Sequence, residues 1–126
     1  MLDDVSIALP GLQYAAKIQK RASSVGFDWS DAASVKEKIL EELGEVQEAF
    51  DKSDQEHVQE EIGDLLFSVV NYARHLEVDP EIAMRQAALK FKRRFQFMEN
   101  HGEPLKRASK AELEILWTQA KKALGR

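Results

Sequence analysis

Residues 41–45 read EELGE and residues 60–64 read EEIGD, two nearly matching acidic pentapeptides in one short chain. Within them Glu42 and Glu45, and again Glu61 and Asp64, are spaced i and i+3, which puts each pair on one side of a helix. Four carboxylates brought together repel one another, and partial burial raises that cost, so such a group calls for protons or cations. Oxygen-only ligation favours Mg²⁺, Mn²⁺ or Ca²⁺, and Mg²⁺ ordinarily completes its shell with water and phosphate oxygens. A di-iron carboxylate centre has little support, because its Glu-x-x-His pairs are missing: His57, His75 and His101 follow Asp54, Tyr72 and Met98 at i−3. The bland alternative is a solvated acidic face, in which Lys38 with Glu42 and His57 with Glu61 are ordinary i,i+4 neighbours.

The elements that must hold these residues read as helices almost throughout. A first helix is expected from about Gly11 to Ser24, a second from about Ala32 to Lys52, and a third to about Glu77, with Ser53 and Glu56 as its capping box. Asp79 and Pro80 open a fourth helix that runs to about Asn100, HGEP at 101–104 breaks it, and Ser109 with Glu112 caps a short last helix. On the second helix Val35, Ile39, Leu43, Val46 and Phe50 form an apolar stripe, with Glu42 and Glu45 to one side. Val58, Ile62, Leu66, Val69 and Ala73 do the same on the third, flanked by Glu61 and Asp64. An antiparallel pairing of the two would let all four carboxylates meet at one edge of the core. Glu41, Glu48 and Glu60 turn away. Gly44 and Gly63 each cost about 1 kcal/mol inside a helix, which close backbone approach would rationalise. The fold class is all-α: a four-helix core with an additional C-terminal helix.

Composition sets the frame. The chain has 126 residues, 44% of them hydrophobic and 32% charged, which suits one compact soluble domain. A net charge of −4 argues against binding a nucleic acid polymer. The absence of cysteine excludes disulfides and thiolate metal sites. No signal-peptide core or membrane-spanning run is present, so a cytoplasmic protein is expected. The one concentrated basic segment is KFKRRF at 90–95, where Lys90, Arg93 and Arg94 share a helical face beside the pair Phe91 and Phe95.

The acidic elements match the EExxE and ExxD motifs of the all-α nucleoside triphosphate pyrophosphohydrolases, and the chain resembles the MazG branch of that superfamily over nearly its whole length. The further matching pieces are LPGL at 9–12, KIQKRA at 17–22, GFDW at 26–29, GDLLFSVVNYARHLEVDPE at 63–81 and KFKRRF. The resemblance implies Mg²⁺-dependent hydrolysis of a nucleoside triphosphate to the monophosphate and pyrophosphate, with Mn²⁺ as a substitute ion. It implies Glu42, Glu45, Glu61 and Asp64 as metal ligands and Glu42 as the residue that orients or deprotonates water. Lys38, Glu41, Lys90, Arg93, Arg94 and Trp117 fall on segments that border the nucleotide, with KFKRRF as the triphosphate clamp. Trp29 is read as a hydrophobic staple rather than a base pocket.

Family members of this kind work as homodimers or higher homo-oligomers, so a homodimer is expected. Many carry two such modules, and the start MLDDVSIALPGL looks like the lead-in to a second one. Residues 1–126 are therefore read as a single module, either a single-domain homologue or an excised C-terminal one. The competing reading from another class is a non-enzymatic helical interaction module on the same scaffold.

Overall fold

The computed structural model describes all 126 residues and contains five α-helices and no strand: α1 (Gly11–Ser23), α2 (Ala32–Asp51), α3 (Gln55–His75), α4 (Pro80–Asn100) and α5 (Lys110–Leu124). Short 3-10 turns precede α1 at Leu2–Asp4 and α5 at Leu105–Arg107. The all-α class is thus as the periodicity indicates. Two compact units divide the chain, Met1–Glu81 and Ile82–Arg126.

In the first unit, α2 and α3 pack along their lengths and α1 packs on α3. Polar caps set the starts of the helices. The Asp31 carboxylate accepts from the Ser34 N–H at 2.8 Å to open α2, and Asp54 accepts from the His57 N–H at 3.1 Å to open α3. The third cap therefore lies one residue beyond the expected Ser53. Ser53 has φ +57°, its N–H bonds to the Phe50 carbonyl, and the Asp54 N–H reaches back to the Ala49 carbonyl. That is a Schellman ending for α2, and a residue occupied in ending one helix cannot cap the next. The same pair of bonds ends α1 around Gly26 (φ +86°) and α3 around Glu77 (φ +61°). Glu77 consequently lies outside α3 rather than in its last turn.

The buried faces differ from the expected apolar stripes. On α2 the buried residues are Val35, Glu42 and Ala49, a seven-residue repeat; on α3 they are Glu61, Ser68, Val70 and Asn71. Gln19 of α1 is also buried and donates from Nε2 to the Phe67 carbonyl at 2.8 Å. The inner seam is therefore rich in polar groups. Leu43 (49% exposed), Phe50 (66%) and Leu66 (47%) face outward, with Ile62 and Val69. Gly44 and Gly63 have no atom within 4 Å of the position a Cβ would take, so close approach within the chain does not explain them.

In the second unit, α5 opens where expected: Ser109 Oγ accepts from the Glu112 N–H at 3.1 Å. Met98 and Ala120 are its buried apolar residues.

Candidate metal and phosphate site

Glu42 and Glu45 lie one turn apart on α2, and Glu61 comes from α3. One carboxylate oxygen from each lies within 4.8 Å of the others. Glu42 is 4% exposed and Glu61 8%, values rarely reached by carboxylates unless they are paired. Each has a cationic or imidazole neighbour one turn earlier on its own helix. Lys38 Nζ lies 3.0 Å from Glu42 Oε1, and His57 Nε2 lies 3.0 Å from Glu61 Oε1. The other oxygen of each, Oε2, is buried without a hydrogen-bond partner. Two buried acceptors lacking donors, beside a third carboxyl, fit a hard divalent cation, since carboxylate oxygens are the ligands such ions take.

The electrostatics separate Glu42 from Glu45. Burial is the largest single influence on Glu42 and pushes it up, but the hydrogen bond from Lys38, contacts with Glu61 and Glu45 and the Lys38 charge together hold it below the ordinary carboxylate range. Glu45 goes the other way. A carboxyl–carboxyl hydrogen bond with Glu61, then partial desolvation and the charges of Glu42 and Glu61, raise it to about 7. The neighbouring carboxylates thus oppose the ionisation of Glu45. A cation would relieve that repulsion.

The other residues singled out from sequence are distributed as follows. Asp64 is exposed on α3, one turn after Glu61, and is not part of the three-carboxylate group. Glu41 is exposed and lies 3.7 Å from Lys38 Nζ, so Lys38 bridges Glu41 and Glu42. In the second unit, Lys90 and Arg93 are exposed and Arg94 is half-buried. The Arg94 guanidinium lies 5.4 Å from the Trp117 ring centre, close enough for a cation–π contact. Phe91 lies 5.4 Å from Trp117 and 6.2 Å from Phe95, so KFKRRF and Trp117 form one aromatic and basic group within that unit.

Two ties in the first unit go beyond what the sequence specified. His57, expected as an i,i+4 neighbour of Glu61 and in a stretch, residues 57–60, that the resemblance sets beside the nucleotide, contacts the buried Glu61 carboxylate directly. The GFDW loop is tied to the end of α3: Arg74 Nη2 donates to Asp28 Oδ2 at 2.6 Å and to Asn71 Oδ1 at 2.7 Å, while His75 Nε2 lies 3.0 Å from Asp28 Oδ1. Burial pushes Asp28 up, but the Arg74 and His75 bonds outweigh it and leave the carboxyl below its usual range. Trp29 is exposed, with its backbone N–H on Asp28 Oδ1 at 2.8 Å.

Residues 30–102 match the family model described as the MazG nucleotide pyrophosphohydrolase domain, more than half of the chain. Over 124 residues the chain is 44% identical to a Thermotoga maritima protein named nucleoside triphosphate pyrophosphohydrolase/pyrophosphatase MazG, covering 95% of this chain and 48% of that one. It is 42% identical over 127 residues to the Escherichia coli K12 nucleoside triphosphate pyrophosphohydrolase, covering 96% and 48%. A Bacillus subtilis protein named uncharacterized protein YabN is 39% identical over 126 residues, covering 96% of this chain and 26% of its own length. The chain thus spans about half the length of the two pyrophosphohydrolases it matches. No helix is long and apolar enough to cross a membrane.

Proposed function

The chain belongs to the MazG nucleotide pyrophosphohydrolase domain family, and from that membership and its three-carboxylate group we propose that it hydrolyses a nucleoside triphosphate to the monophosphate and pyrophosphate. The observation that carries this reading is the pair of buried, partnerless oxygens on Glu42 and Glu61 beside Glu45. Glu42 and Glu45 of α2 and Glu61 of α3 would hold a divalent cation, Mg²⁺ with Mn²⁺ as substitute, and Asp64, one turn after Glu61 on α3, would join them. When bound, the cation lowers the pKa of water and offsets the charge of the phosphates.

The chain's own groups do the rest. Glu42, held ionised by Lys38, accepts a hydrogen bond from the attacking water and orients it. The water oxygen bonds to the α-phosphorus as one of its protons passes to Glu42 and on to solvent, the bond from that phosphorus to the α,β-bridging oxygen breaks, and pyrophosphate leaves with the electron pair. Lys38, which pairs with Glu41 and Glu42 in the free chain, turns its charge to a phosphate oxygen of the substrate. Lys90, Arg93 and Arg94 offset the triphosphate charge, and Trp117 packs against the nucleotide. Residues 1–126 act as one module, in the cytoplasm, where nucleoside triphosphates are made and used. A homodimer is the proposed assembly, because the large apolar residues Leu43, Phe50, Ile62, Leu66 and Val69 of α2 and α3 remain exposed on one chain.

Glu61→Gln tests the assignment, since it keeps the shape and removes one anionic ligand. Calorimetric titration of Mn²⁺ should show affinity weakened about tenfold or more, and turnover at limiting Mg²⁺ should fall with it, while helix content by circular dichroism stays the same. Unchanged Mn²⁺ affinity would remove Glu61 from the site.

A further inference from the structure

In the second unit, we infer that Gly125 is a positioning residue for the phosphate-binding Arg94, fixing the guanidinium through a backbone carbonyl that only glycine turns in the required direction. This rests on the proposed role of Arg94 as a phosphate ligand. Gly125 directly follows α5 and has φ +68° and ψ −148°, a region essentially reserved for glycine. Its N–H still bonds to the Lys121 carbonyl at 3.0 Å, as in a continuing helix. Its own carbonyl, by contrast, turns aside and accepts from Arg94 Nη2 at 3.1 Å.

Arg94 is therefore held from two sides by α5 and its cap. The Trp117 ring lies against the guanidinium at 5.4 Å and the Gly125 carbonyl takes one edge. Nε is buried with no partner, which is costly unless the arrangement is maintained for another reason. Nη1 has no protein acceptor, so the held guanidinium keeps donors free for a phosphate oxygen. A flexible arginine side chain loses rotamer freedom when it binds; one already fixed does not bear that cost at the moment of binding.

The conformation supplies a sharp test. A Cβ on Gly125 would meet no atom within 4 Å, so replacement by L-alanine acts through the backbone angles and not through a clash. The pair φ +68°, ψ −148° is the mirror image of the polyproline II region, which a D-residue adopts as readily as an L-residue adopts the original. Gly125 is the penultimate residue of the 126-residue sequence, so this chain can be made by ligation with L-alanine or D-alanine at that position.

With a nucleoside triphosphate and Mg²⁺, Gly125→Ala in the L form should raise KM about tenfold with kcat within about twofold of the parent, the size expected from losing one charge-assisted hydrogen bond that organises the binding group. The D form should keep the parent's KM. The Arg94 Nε–H resonance should be sharp in the parent and the D form and broadened in the L form, a readout independent of turnover. Equal KM values for the two alanine enantiomers would overturn the positioning role. Arg94→Ala belongs in the same assay: parental kinetics there would remove the phosphate-ligand reading itself, whereas an impaired Arg94→Ala with indistinguishable alanine enantiomers would remove only the part played by Gly125.

Discussion

Glu45 is the carboxyl on which solution conditions act most directly, because it titrates at about 7 in the folded chain against an ordinary 4.5. The folded state thus holds this proton more tightly than the unfolded one. The resulting stabilisation is full below 4.5 and is lost as pH rises through 7. Glu42 is shifted the other way, so its contribution holds above the ordinary range and is lost only in acid. A metal must displace the Glu45 proton, so Mn²⁺ affinity should climb between about pH 6 and pH 8 and then level off, and Glu45→Gln should abolish the climb. Calorimetry across that range checks both, and an affinity independent of pH in the parent would contradict the raised Glu45. The acidic pentapeptides made Glu42, Glu45 and Glu61 legible in the sequence, through their i,i+3 spacing. They could not show that Asp64 stays exposed outside the three-carboxylate group, because a helical wheel gives direction around one axis and not the depth at which two helices cross.

At the scale of elements, starts were more legible than ends. Asp79 and Ser109 cap as expected, since a short polar side chain before a helix has one strong local partner, the N–H two or three residues on. Ser53 misled because left-handed backbone is a tertiary necessity of the tight α2–α3 connection, imposed on a residue that does not favour it. Ser53→Gly should therefore raise stability by about 0.5 kcal/mol, the relief of left-handed strain reduced by the extra freedom of glycine in the unfolded chain. Urea unfolding monitored by circular dichroism measures it, and a loss of stability would contradict the Schellman description. The apolar stripes were real as sequence patterns, yet most of their large residues lie outside. Periodicity marks a face that avoids water without saying whether the same chain or another covers it.

For the whole molecule, the uncovered face is the feature to explain. Phe50 of α2 and Leu66 of α3 are large apolar residues left exposed, as interface residues are on an isolated chain. Sedimentation equilibrium should give a mass twice the chain's 14.3 kDa, and Leu66→Asp should return it to a single chain. A monomeric parent would leave the face without a second copy to cover it.

The proposed activity is cleavage between the α- and β-phosphates by water at the α-phosphorus. The most direct measurement is to incubate the chain with a nucleoside triphosphate and Mg²⁺ in oxygen-18 water, then resolve the products by mass spectrometry. One labelled oxygen in the nucleoside monophosphate and an unlabelled pyrophosphate are expected. Label in the pyrophosphate instead, or release of diphosphate and orthophosphate, would contradict that cleavage.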